Sequence, residues 1–256
     1  MKKTLLILIV TITFFIQGCN ATSQSDSNDT TSLISETSVL LPLYSYPTEW
    51  KNNSELTNLR LATRGQIISV INPSSGPGLS KNSDYVDGIE YLFLQNIKVI
   101  AYIYTSYGNR DKQEIYDDID AYVEFYGTQQ LTGVFFDEVS VGIDDTYMKD
   151  ISEYAKSKGL DFIVLNPGTN VAQAIIDENY YDIIVTYENS YDNYINFENG
   201  VLSADITKQA LLVYAYPNLT SYRDEIEKAK EMNFDYIYLT IDAEPNPWDS
   251  VFNFIK

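Results

Sequence analysis

The chain has 256 residues, with 17 Lys and Arg against 36 Asp and Glu, a formal charge of −19 and no histidine. That balance makes nucleic acid and anionic headgroups poor partners and would attract a cationic polymer, although a strong negative charge also simply keeps an exported protein soluble. The missing histidine removes Ser/His/Asp and Cys/His catalysis and His-ligated zinc, which leaves carboxylates, tyrosines and lysines for proton chemistry.

The N-terminus opens with Lys2 and Lys3, followed by the apolar run LLILIVTITFFI over residues 5–16. This run is short for a permanent span and suits a cleaved secretion signal. IQGC, residues 16–19, resembles a bacterial lipobox, and Cys19 is the only cysteine, so an internal disulfide is excluded and lipid attachment at Cys19 is expected. Residues 20–38, rich in Ser, Thr, Asn and Asp, read as a flexible tether. The expected organisation is a signal peptide over 1–18, a lipid-bearing Cys and tether over 19–38, and one domain over 39–256. This predicts an extracytoplasmic lipoprotein held on the membrane, monomeric beyond that anchor.

Eight β-rich apolar runs follow: 39–44, 66–72, 98–104, 133–137, 161–166, 182–188, 210–216 and 236–242. Most are continuously apolar, as parallel strands covered on both sides are. Helical patterns fill 83–96, 110–127, 146–159 and 220–233, with Ser83 and Thr220 at expected N-caps and Gly127 and Gly159 at expected C-caps. Strand starts roughly 21 to 35 residues apart are one βα unit long. Eight such units predict a single (β/α)8 TIM-type barrel, with a doubly wound open sheet as the alternative.

Barrel enzymes build their sites at the C-terminal ends of strands. The runs end at Tyr44, Asn72, Tyr104, Asp137 with Glu138, Asn166, Glu188, Tyr214 and Asp242, all polar or hydrogen-bonding. Glycoside cleavage needs one carboxylic acid for the leaving oxygen and one carboxylate to attack or to activate water. Asp137, Glu138 and Glu188 are the expected catalytic acids, with Asp137 as nucleophile or stabiliser and Glu188 as general acid/base. Side-chain alternation keeps Asp137 and Glu138 from sharing one strand face. Tyr44, Tyr104, Tyr187 and Trp248 are candidate sugar-binding aromatics, joined by Asn72, Asn166 and Asp242 as polar groups. The chain has no GxxxxGK[ST] or GxGxxG string, and no cofactor or metal is expected.

The strings LPLYSYPTEW, INPSSGPG, AYIYTSYGNR, GVFFDE, LNPG, TYENSY and NPW occur in this order from Leu41 to Trp248. In combination they resemble the spherulin-4 family. The resemblance implies a (β/α)8 hydrolase of the type grouped as glycoside hydrolase family 135, whose characterised fungal member cuts galactosaminogalactan, an α-1,4-linked galactosamine and N-acetylgalactosamine polymer. It places that family's acidic groove residues on Asp137, Glu138 and Glu188, and gives the acidic chain a cationic amino-sugar partner. The competing expectation is a carbohydrate-binding or structural envelope protein that keeps the groove without turning substrate over.

Overall fold

The computed structural model describes residues 36–141, 145–198 and 208–255. Eight parallel strands form one sheet in chain order: β1 Val39–Leu43, β2 Ile67–Ile71, β3 Lys98–Tyr104, β4 Leu131–Asp137, β5 Phe162–Leu165, β6 Ile183–Ser190, β7 Gln209–Tyr214 and β8 Tyr236–Leu239. The sheet closes where Ser38 bridges Tyr236 in parallel and the Ile237 amide donates to the Ser38 carbonyl at 3.0 Å. The architecture is therefore the (β/α)8 barrel and not the open sheet. Cys19, the signal segment and most of the tether lie outside the described residues. Thr37 and Ser38, assigned to the tether by composition, are buried and belong to the barrel.

Buried β-branched and aromatic residues explain the strands. Each of β1 and β2 is buried along its whole length, as a strand sandwiched between barrel interior and helix ring must be. Gly133 has a further role, because a Cβ there would stand 2.0 Å from the Phe162 carbonyl oxygen. Only glycine lets β4 lie this close to β5.

The helices are α1 Ser54–Ala62, α2 Ser83–Leu94, α3 Lys112–Tyr126, α4 Asp145–Ser157, α5 Gln173–Ile176, α6 Tyr191–Tyr194 and α7 Arg223–Glu231. Helix α1 and the single-turn α5 and α6 were not expected from periodicity. Asn53 caps α1 by accepting from the Leu56 amide, and Asn82, not Ser83, caps α2 by accepting from the Asp84 amide. Tyr222 stands at the cap position of α7, so Thr220 lies outside that helix. Gly127 and Gly159 take positive φ just beyond α3 and α4, as expected.

Backbone strain is unevenly placed. Ser75, Ser106, Tyr107, Glu138 and Ala215 adopt φ between 49° and 54°, and all lie on connections leaving the C-terminal ends of strands. Left-handed backbone costs non-glycine residues roughly 1–2 kcal/mol each. The two other such residues, Asn96 and Asn233, follow helix ends, where asparagine takes this conformation readily.

Candidate active site

Asp137 ends β4, Asn166 follows β5 and Glu188 lies on β6, so three neighbouring strands bring these side chains to one part of the barrel mouth. The Asn166 backbone is clipped to the β4 connection on both sides, its amide donating to the Phe136 carbonyl at 2.8 Å and its carbonyl accepting from the Val139 amide at 3.0 Å. Its side-chain Nδ2 then donates to Asp137 Oδ1 at 2.7 Å and to Glu188 Oε2 at 2.5 Å. Only the NH2 end of an amide can face two carboxylates, so the orientation of this group follows from chemistry. One nitrogen bonded to both acids holds those oxygens no more than about 5 Å apart. Glycoside cleavage uses such a pair, one carboxyl as proton donor and the other as nucleophile or base.

The two acids have different surroundings. Asp137 Oδ2 accepts from the Tyr102 hydroxyl at 2.8 Å, and Oδ1 accepts a second bond from the Glu138 amide at 2.8 Å. Burial raises the Asp137 pKa above the usual carboxylate value, while these three donors pull it back towards ionisation. Glu188 Oε1 accepts from Trp248 Nε1 at 3.2 Å. Burial, reinforced by the neighbouring charge of Asp137, pushes Glu188 up to about 7, against the opposing bonds from Asn166 and Trp248. The pair therefore favours one ionised and one protonated carboxyl near neutral pH, with the proton on Glu188.

Tyr44 closes the site from β1. Burial and the charges of Asp137 and Glu188 hold its phenol protonated, and its ring meets Tyr102 edge-on at 5.7 Å. The Tyr44 amide donates to the Trp248 carbonyl at 3.0 Å, which draws the connection after β8 over the acids. The Trp248 indole is 6% exposed and meets Tyr214 edge-on. Trp248 thus reaches the site as an orienting donor to Glu188 and offers little open face for a sugar.

The other expected residues are placed differently. Glu138 is half-buried, and among the described residues its carboxylate makes no hydrogen bond or ion pair. Its backbone turns left-handed at φ 54° and accepts from Thr105 Oγ1 and the Tyr107 amide, so it leaves the strand line that Asp137 continues. Asn72 accepts from the Gly76 amide at 3.1 Å and folds its own loop. The Tyr104 ring is covered by the Arg110 guanidinium at 4.3 Å, and Arg110 is itself paired with Asp118 at 2.6 Å. Tyr187 is buried against Phe197 and Tyr194, at ring distances of 4.2 and 5.8 Å, because it points to the opposite face of β6 from Glu188. Asp242 lies three residues past the end of β8 and bonds Ser250, closing the final loop. Tyr187 thus packs among aromatics and Asp242 ties the final loop, and neither bonds the two acids as expected of a ligand beside them.

Three participants had weaker signals. Tyr102 shares a strand face with Tyr104, two residues on, and period-two alternation points to it. Tyr214 ends β7, and the Glu244 carboxylate beside it adds to the charge felt by both Tyr214 and Glu188. Glu244 sits in an irregular loop, where no periodicity marks it.

A sequence profile described as spherulation-specific family 4 matches residues 38–256. The chain belongs to this family. Spherulin-4 of Physarum polycephalum is 33% identical over 165 residues, which is 62% of this chain and 46% of the relative. The chain thus spans about half the length of that family member. The crystal structure of Aspergillus clavatus Sph3 in complex with GalNAc superposes with a TM-score of 0.74 at 22% identity, covering 86% of this chain and 94% of Sph3. The spherulation-specific family match includes every strand of the barrel and each acid described above.

Proposed function

We propose that this protein is an endo-acting glycoside hydrolase of hexosaminidase type that cleaves an α-1,4-linked galactosamine and N-acetylgalactosamine polymer of a biofilm matrix. The observation that carries the reading is the Asn166 amide joining Asp137 and Glu188, two carboxyls with unlike surroundings. Protonated Glu188 gives its proton to the glycosidic oxygen as that bond breaks, and ionised Asp137 forms the new bond to the anomeric carbon. Glu188, now a carboxylate, removes a proton from water, which displaces Asp137 and restores both groups with retained configuration. Tyr102 and Asn166 hold Asp137 ready to attack, and Trp248 aims Glu188.

The amino-sugar assignment is supported by the family and by the GalNAc held in Sph3. A formal charge of −19 also suits a polymer carrying free ammonium groups. Attachment outside the cell through lipid on Cys19 completes the proposal and rests on the IQGC sequence.

Release of reducing ends from partly deacetylated α-1,4-galactosamine polymer tests the activity. Release by wild type, with loss in Asp137→Asn and Glu188→Gln, is the expected result. Tight polymer binding without release would convert the protein into a carbohydrate-binding one. Labelling of cells with an alkyne fatty acid tests the anchor, and incorporation that survives Cys19→Ser would sink it.

A further inference from the structure

The ring of Tyr107 has no part in the chemistry above. It is 65% exposed, and among the described residues it makes no ring contact or side-chain hydrogen bond. Its backbone, in contrast, is tightly fastened. Tyr107 at φ 54° and ψ 36° follows Ser106 at φ 49°, so two left-handed residues stand in succession. The Tyr107 amide donates to the Glu138 carbonyl at 2.7 Å, and Thr105 Oγ1 donates to the same oxygen at 2.8 Å. The Gly108 and Arg110 amides return to the Thr105 carbonyl at 3.0 and 3.2 Å, and Asn109 Nδ2 donates to the Ser106 carbonyl at 2.8 Å. The connection after β3 is therefore welded to the residue that follows Asp137.

Glycine or asparagine would hold a left-handed backbone with less strain, so the backbone alone does not account for a tyrosine at 107. A large exposed ring at a fixed place beside a cleavage site is what stacking on a pyranose requires, since little side-chain freedom is lost on contact. The surroundings agree. Tyr46, Leu79, Ile195, Leu219 and Ile241 are further exposed apolar side chains, each on a different connection at the same end of the barrel. Tyr46 is also rigid, its hydroxyl donating to Asp84 at 2.7 Å and accepting from Asn82 at 3.1 Å.

We infer that Tyr107 is the platform of a distal carbohydrate subsite, on the side of Asp137 away from Glu188, that stacks on a pyranose unit of the polymer. This inference rests on the proposed hydrolase reading for the identity of the polymer. Such a subsite adds contact with the polymer beyond the acids, and it makes affinity depend on substrate length.

The test compares Tyr107→Gly and Tyr107→Trp with wild type on partly deacetylated α-1,4-galactosamine polymer and on its disaccharide. Binding is measured in the Glu188→Gln background and cleavage in the active one. Tyr107→Gly is expected to weaken polymer binding and raise KM for polymer about three- to tenfold at unchanged kcat, with no effect on the disaccharide, whereas Tyr107→Trp keeps wild-type affinity. Because glycine relieves the strained φ, the same variant is expected to melt at a higher temperature, so affinity and stability move in opposite directions. Polymer binding equal in wild type and Tyr107→Gly, including no binding by either, overturns the platform. Equal losses on polymer and disaccharide overturn it too. Polymer binding that depends on Tyr107 without any reducing-end release would support the platform while removing the hydrolase reading.

Discussion

The two ends of the barrel use similar side chains in opposite ways. At the N-terminal end, Asp182 accepts from the Ile163 amide at 2.8 Å, Lys98 lies 3.8 Å over the Phe162 ring, and Lys230 pairs with Asp235. Basic residues close α1, α4 and α7, where helix dipoles favour them. Each of Asp182, Lys98 and Lys230 thus has a local partner. At the C-terminal end, Asp137 and Glu188 stand half-buried side by side, their pKa values are raised, and five non-glycine residues carry left-handed strain. Raised carboxyl pKa values and strained non-glycine backbone gather at the C-terminal end, which is the pattern of a site organised for chemistry.

Substitutions at the two ends sharpen this contrast. The largest effect is expected for Asp137→Asn and Glu188→Gln, each lowering kcat by roughly 10³-fold or more, with tertiary structure by circular dichroism unchanged. Full activity in either variant would break the assignment of the acids. Asn166→Ala comes next, with a fall in kcat of about 10- to 100-fold from loss of hydrogen bonds to charged groups. Wild-type activity is expected to fall as pH rises through about 7, where Glu188 loses its proton. Since the Asn166 bond favours ionised Glu188, its removal moves that alkaline limb to higher pH. An unmoved limb would mean that another group sets it.

Trp248→Phe removes the weaker donor and is expected to move the limb in the same direction by less, with a few-fold loss of kcat. Stability follows the same proton. The folded chain holds it more tightly than the unfolded chain, so stability declines as pH rises between about 4.5 and 7, and Glu188→Gln flattens that slope in urea titrations. The smallest effect belongs to the other end of the barrel. Asp182→Ala is expected to destabilise by about 1 kcal/mol through the freed Ile163 amide, with kcat unchanged.

Legibility of the fold followed from burial. The eight apolar runs became the eight strands because a strand covered on both faces must be apolar throughout. Helix α1 and the single turns α5 and α6 escaped notice because short helices depend on caps and packing more than on period. The site was legible to the depth of position along the barrel axis. Asp137, Asn166, Glu188 and Tyr44 were marked by that signal and converge, and Trp248 joins them from the connection after β8. Asn72, Tyr187 and Asp242 carried the same signal and do not, because position along the barrel axis says neither which face a side chain takes nor how the connection beyond the strand folds. Tyr187 and Glu188 are neighbours in sequence, yet one packs under α6 while the other enters the mouth.

By itself the sequence determined the barrel, the end of it that carries the acids, and the absence of histidine chemistry, because composition and apolar pattern act residue by residue. Tertiary structure alone decided that one amide ties Asp137 to Glu188, that Glu188 keeps the proton, and that Glu138 turns aside. Those outcomes depend on distances between strands far apart in the chain and on water excluded by their neighbours, and neither quantity is written in any local stretch of residues.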